Sequence, residues 1–209
     1  MQLYLIRHPQ PLLDKHTCYG RSDIAVAPAM LAQCVTQLLP ALQALPPGLT
    51  MVSSPLRRCA DLAQALAEQL SWPAPALEPR LQEMDFGNWE LRPWDDIPWA
   101  EVEAWNADLL HHAPGGGETL LAVAQRMWQA FASLLAQPAP GAIVICHAGS
   151  IRMLQACAAW RAEQGSMADN IAASTPQIFD DIALRAVAQR QEIPYAQVLP
   201  LDLSMAQQR

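Results

Sequence analysis

Apolar positions along this chain follow two rhythms. Short unbroken runs, Leu3-Tyr4-Leu5-Ile6, Leu49-Thr50-Met51-Val52 and Ala142-Ile143-Val144-Ile145-Cys146, end abruptly at polar residues, and their length predicts buried strands over 2–7, 49–53 and 142–146. Between them the spacing shifts to the helical period. Met30, Leu31, Cys34, Leu38, Leu42 and Leu45 predict a helix over 28–45, closed by Pro46-Pro47-Gly48. The alanine- and leucine-rich stretch 58–70 predicts another, with Pro55 suited to its start. Further helices are expected near 99–110, 118–136 and 149–161. Residues 71–79 read as a connection, 162–180 have no clear assignment, and 193–203 suggest a last strand interrupted by Pro194 and Pro200.

Strands alternating with helices imply an α/β fold: a three-layer α/β/α sandwich whose central sheet is mostly parallel and covered on both faces. Ligands of such sheets bind beyond the carboxyl ends of the strands. Residues 1–209 are expected to form one domain, with a lid-like segment at about 84–117.

Composition narrows the class. A content of 52% hydrophobic and 16% charged residues is that of a globular protein. A net charge of −7 disfavours nucleic acid or an anionic membrane as partners. No apolar run reaches the length of a membrane span, and no leader pattern is evident at the start. Cys18, Cys34, Cys59, Cys146 and Cys157 are scattered without metal-ligand spacing, which predicts reduced thiols and a cytoplasmic location. Cys146 beside His147 is a thiol to consider as a nucleophile, but a small buried residue ending a strand is the better reading.

The predicted strand ends carry the chemistry. Arg7-His8 closes the first, Ser53-Ser54 with Arg57-Arg58 follows the second, and Cys146-His147-Ala148-Gly149 closes the third. Histidine offers a nucleophilic ring nitrogen, and guanidinium a fixed fork of donors for phosphate oxygens. His8 could attack phosphorus while Arg7, Arg58 and His147 hold its oxygens. Glu83 in Leu81-Gln82-Glu83-Met84-Asp85-Phe86-Gly87 could protonate the leaving alkoxide and later activate water. Such chemistry needs no cofactor and no metal, and no Mg²⁺-like carboxylate cluster appears. Arg58, one helical turn beyond Ser54, is preferred over a solvent-facing Arg57.

These four ordered segments resemble the histidine phosphatase superfamily, in its phosphoglycerate mutase-like branch. The family pattern is a strand ending in Arg-His-Gly, then Ser-Ser-x-x-x-Arg, Leu-x-Glu-x-x-x-Gly, and Ser/Cys-His-Gly/Ala-Gly. The resemblance implies a phosphoglycerate mutase-like fold, His8 as the phosphorylated nucleophile, Arg7, Arg58 and His147 as the phosphate pocket, and Glu83 as proton donor. Ala148 stands where another branch has its donor Asp. Pro9 replaces the usual Gly, Pro11 a frequent Thr, Asp14 a frequent phosphate-facing Asn, and Leu91 the Gly of a common Trp-Glu-Gly.

From Glu83 to Glu118 there are nine acids (Glu83, Asp85, Glu90, Asp95, Asp96, Glu101, Glu103, Asp108, Glu118) against the single base Arg92. A mutase must hold a bisphosphate, so this balance favours hydrolysis of a small phosphate monoester. The segments 18–23 and 84–90 are similar to α-ribazole phosphatases of cobalamin biosynthesis. That similarity makes α-ribazole 5′-phosphate the expected substrate and Gly20, Arg21, Ser22 and Trp89 candidate substrate contacts. The alternatives are a broad-specificity sugar or nucleotide phosphatase, a phosphohistidine phosphatase, or an inactive phosphate-binding module. The apolar C-terminal region is a candidate homodimer surface.

Overall fold

A computed structural model describes residues 1–164 and 177–203. Five strands form one sheet in the order β3-β2-β4-β1-β5. They are β1 (Gln2–Arg7), β2 (Thr50–Ser53), β3 (Ala76–Leu77), β4 (Gly141–Cys146) and β5 (Val198–Asp202). β1, β2, β3 and β4 run parallel, and β5 joins β1 antiparallel at the edge. Pro200 is tolerated there because an edge strand leaves one side of its backbone without a ladder partner.

The period-2 alternation of the strands decides which face each residue covers. Leu3, Leu5, Val52, Ala142 and Val144 pack with α4 (Leu120–Leu135), α5 (Ala148–Gln164) and α6 (Ile178–Ala188). Ile6, Met51, Ile143 and Ile145 point the other way, onto α1 (Pro28–Gln43) and α2 (Arg57–Leu70). β4 is buried along its whole length, which explains its unbroken apolar run. The result is the expected mixed α/β sandwich with helices on both sides.

Three elements went unanticipated or shifted. β3 is a two-residue strand inside the expected connection, too short to leave a pattern. α6 lies partly within the unassigned 162–180, and Asp180 and Asp181 occupy its first turn, where acids favour the helix dipole. Asp169 and Asn170 lie outside the described residues. α3 (Trp99–Ala107) is shorter than expected and has no buried residue. No described helix is long and apolar enough to cross a membrane.

Candidate active site

Parallel pairing sets Arg7 opposite Cys146, so the residues that follow, His8 and His147, arrive side by side. Their rings lie 5.1 Å apart at 57°, and both are nearly inaccessible to solvent. The His8 amide donates to the Cys146 carbonyl at 3.0 Å and the Ser54 amide to the Ile145 carbonyl at 2.9 Å, which ties three strand ends into one rim.

His8 Nδ1 is 2.7 Å from the Pro9 carbonyl oxygen. A carbonyl can only accept, so the proton resides on Nδ1 and Nε2 keeps its lone pair. Burial, and then the charges of Arg58 and Arg7, push the ring's pKa down to about 3 against the opposing pull of the Pro9 bond. His8 is therefore a neutral imidazole. Pro9 brings no amide N–H, but the contact that fixes the ring uses its carbonyl.

Arg58 is completely buried in the first turn of α2 and committed at every nitrogen. Its Nε donates to His147 Nδ1 at 3.2 Å, Nη1 to the Ser22 carbonyl at 2.6 Å, and Nη2 to the Gly20 carbonyl at 2.5 Å. Since His147 Nδ1 accepts, its Nε2 carries the proton, 2.9 Å from Ser54 Oγ. Burial and the surrounding charges hold His147 well below the usual histidine range. Arg57 is exposed and lies 3.8 Å from Asp61.

Arg7 is held from two directions. Nη1 donates to the Ile193 carbonyl at 2.7 Å, and the guanidinium lies over the Tyr195 ring, 3.7 Å from its centroid. Tyr195 is itself registered by the Ala196 amide donating to the Arg7 carbonyl at 2.9 Å.

Glu83 sits at the amino end of α5, where its Oε2 accepts from the Gly149 amide at 2.9 Å and Oε1 from the Met84 amide at 3.2 Å. A Cβ at position 149 would collide with this carboxylate, so the close approach requires glycine. Arg126 on α4 braces the segment: it grips Glu118 at 2.8 and 2.9 Å and donates to the carbonyls of Arg80 and Gln82, both at 2.7 Å, and of Glu83 at 3.2 Å.

Arg7, His8, Arg58, Glu83 and His147 all line one cavity of about 290 Å³, completed by Lys15, Thr17, Tyr19, Trp94, Ala148 and Tyr195. Four expected substrate contacts are placed elsewhere. Gly20, Arg21 and Ser22 do not line it. The Gly20 and Ser22 carbonyls grip Arg58, and the amides of all three donate to Glu90 at 3.0, 2.9 and 3.1 Å. Burial pushes Glu90 up, but the Ser22 hydroxyl and the amides of Gly20, Phe86 and Arg21 outweigh it and hold the carboxyl below its usual range. Trp89 is fully buried against Cys18 and Ile97, with its indole N–H on Glu101 at 2.7 Å, so it has no face to offer a ligand. Trp94 lines the cavity instead. Asp14 accepts from the His16 amide at 2.8 Å and is not part of the cavity lining. Cys146 is fully buried, and burial pushes its thiol far up, which keeps it protonated.

Lys15, Tyr195 and Arg126 were not singled out from the sequence, and Tyr19 and Glu90 lay within the segments 18–23 and 84–90 without a role of their own. Glu90 offered a cue, an acid set between Trp89 and Leu91; Tyr195 offered none. Among the described residues no group of three His, Cys, Asp or Glu is arranged to hold a metal.

A neutral histidine between two guanidiniums, with a second histidine and a carboxylate on the same cavity, is the equipment of phosphoryl transfer. Residues 3–174 match the model of the histidine phosphatase superfamily (branch 1), and the chain belongs to that family. It is 29% identical over 161 residues to the adenosylcobalamin/alpha-ribazole phosphatase of Escherichia coli, covering 74% of this chain and 77% of that protein. It is 31% identical over 144 residues to the "probable phosphoglycerate mutase GpmB" of Escherichia fergusonii, covering 66% and 65%. The alpha-ribazole phosphatase of Shigella flexneri superimposes with a TM-score of 0.66 at 26% identity, over 76% of this chain and 79% of that one.

Proposed function

We propose that this protein is a metal-independent phosphomonoesterase working through a phosphohistidine on His8. The observation that carries the reading is the tautomer: with the Nδ1 proton on the Pro9 carbonyl, Nε2 is an unprotonated nucleophile beside Arg7 and Arg58.

His8 Nε2 attacks phosphorus and the ester P–O bond breaks, while Arg7, the second N–H on each terminal nitrogen of Arg58 and the His147 Nε2–H, exchanged from Ser54 Oγ to phosphate, stabilise the nonbridging oxygens. Protonated Glu83 gives its proton to the departing alkoxide. Its carboxylate then takes a proton from the water that attacks the phosphohistidine, which releases phosphate and restores His8. The products are an alcohol and inorganic phosphate.

Hydrolysis is favoured over mutase chemistry because residues 83–118 contribute Glu83 and Trp94 to this cavity and no cation. The substrate we assign is α-ribazole 5′-phosphate, within cobalamin biosynthesis. The named phosphatase relatives and an aromatic residue on the cavity wall support it. Residues 84–117 act as a lid over the site. Five free, buried cysteines fit a reducing cytoplasm.

The test is turnover of p-nitrophenyl phosphate without added metal. Activity that survives chelator and disappears in His8→Ala, with acid-labile phosphate trapped on His8 in quenched turnover, is the expected result. Phosphate trapped on another residue would overturn it.

A further inference from the structure

The three hydrogen bonds of Arg58 go to neutral acceptors: His147 Nδ1 and the carbonyls of Gly20 and Ser22. The 20–22 loop therefore sets where its terminal nitrogens lie. The trans peptide that joins Gly20 to Arg21 is bonded on both edges. Its carbonyl takes Arg58 Nη2, and its N–H, which points the opposite way, donates to Glu90 Oε1 at 2.9 Å.

We propose that Glu90 is a positioning residue for phosphate capture: through the Gly20–Arg21 peptide and its neighbours it holds Arg58 in the orientation that meets the anion. The proposal rests on the phosphomonoesterase reading and adds a residue that prepares its anion site from outside the cavity.

The set of donors gives the first reason. Oε2 of Glu90 accepts from the Gly20 amide at 3.0 Å, the Ser22 amide at 3.1 Å and the Ser22 hydroxyl at 2.5 Å, while Oε1 accepts from the amides of Arg21 at 2.9 Å and Phe86 at 3.0 Å. A carboxylate can accept all of these, whereas an amide side chain would turn N–H groups toward some of the same donors. Direction gives the second. A flipped peptide would aim the Arg21 N–H at the guanidinium and withdraw the carbonyl, and the bond to Glu90 opposes that flip. Carboxylate, peptide and guanidinium form a chain in which each bond polarises the next.

Placement gives the third reason. Glu90 is not part of the cavity lining, so its negative charge is kept off the phosphate. The loop it holds is also fitted to both halves of the site. A Cβ on Gly20 would collide with the Met84 carbonyl, next to Glu83, so the loop lies directly on the segment that carries the acid. Asp23, the next residue of the loop, accepts from the Arg57 amide at 2.7 Å and so registers the start of α2, which carries Arg58.

The test measures binding of inorganic phosphate by calorimetry, beside turnover of p-nitrophenyl phosphate and of an alkyl phosphate. Glu90→Gln keeps the shape but sets an N–H group against at least two of the donors, and should weaken phosphate binding at least about tenfold. Ser22→Ala removes one bond to Glu90 and leaves both carbonyls on Arg58, so it should weaken binding about two- to fivefold; it carries the test if Glu90→Gln does not fold. Two readouts separate positioning from general damage. In an Arg58→Lys background the further loss should largely vanish, because lysine lacks the fork that spans two carbonyls, while in Arg7→Lys it should keep its full size. The ratio of alkyl to nitrophenyl turnover, which reads Glu83, should stay within about twofold of the wild-type value. Unchanged phosphate binding in both variants, equal losses in the two lysine backgrounds, or a turnover ratio that moves as far as the affinity would overturn the role of Glu90 and leave the phosphomonoesterase reading standing. A wild type that binds phosphate with this dependence on Glu90 yet hydrolyses neither ester would sink that reading alone.

Discussion

The Tyr195 ring lies against the Arg7 guanidinium at 3.7 Å, while the Ile193 carbonyl takes Nη1 of the same group at 2.7 Å. Both partners come from the segment between α6 and β5, far from Arg7 in sequence. A guanidinium fixed in this way loses little further entropy when it meets an anion.

Tyr195→Leu should therefore weaken anion binding while Tyr195→Phe keeps the stacking face. A cation–π contact of about 0.5–2 kcal/mol translates to a roughly 2–30-fold rise in KM or in the inhibition constant of inorganic phosphate. The turnover number should change less. Equal losses in the Phe and Leu variants would locate the effect in the hydroxyl rather than in the ring.

Glu83→Gln keeps the side chain's size but cannot protonate an alkoxide. Turnover of an alkyl phosphate should fall by about 10²–10⁴-fold, and that of p-nitrophenyl phosphate much less, because nitrophenolate leaves without a proton. Steady-state rates on the two esters decide it. Equal losses would show that Glu83 does not act as the acid.

The buried histidines make stability depend on pH with a definite sign. The unfolded chain binds a proton at His8 below its ordinary value of 6.5, whereas the folded protein resists protonation down to about 3. Between these values the unfolded state holds more protons, so stability falls as pH falls from 6.5 toward 3, by up to about 1.4 kcal/mol per pH unit for one such group. His147, also depressed, acts in the same direction. Urea unfolding of wild type and His8→Gln at pH 7, 6 and 5 should show a shallower decline in the variant. Parallel curves would mean that His8 is charged in the folded protein.

The sequence disclosed the parts of this molecule that are local. Strand ends are short-range features, so His8, Arg58 and His147 could be placed on one edge from apolar runs and helix starts. What it withheld depends on contacts between distant segments. Glu90 binds the 20–22 loop some 70 positions away, and that loop in turn holds Arg58. Motif similarity to a family pointed at Gly20, Arg21 and Ser22 but could not say whether they face a ligand or a neighbouring side chain. Trp89 illustrates the same gap, since an aromatic residue in a lid has the same letter whether it stacks on a substrate or fills the space beneath. Tyr195 carries no pattern because its partner, Arg7, lies at the other end of the chain.

Leu91 offers a test of how well its local backbone suits its residue. Its φ is +64°, in the left-handed region, and its amide is fixed to the Cys18 carbonyl at 2.8 Å. An L-residue there costs about 1–2 kcal/mol, and glycine avoids that cost at an unfolded-state entropy penalty of about 0.5–1 kcal/mol. The side chain is 56% exposed, so removing it surrenders little buried apolar area. Leu91→Gly should consequently stabilise the fold by about 0.5–1 kcal/mol, a rise in melting temperature of roughly 1–4 °C for a chain of this size. Leu91→Ala retains the Cβ and the strain, and should give no such rise. If both variants melt at or below the wild-type temperature, the leucine side chain contributes packing that outweighs its backbone strain.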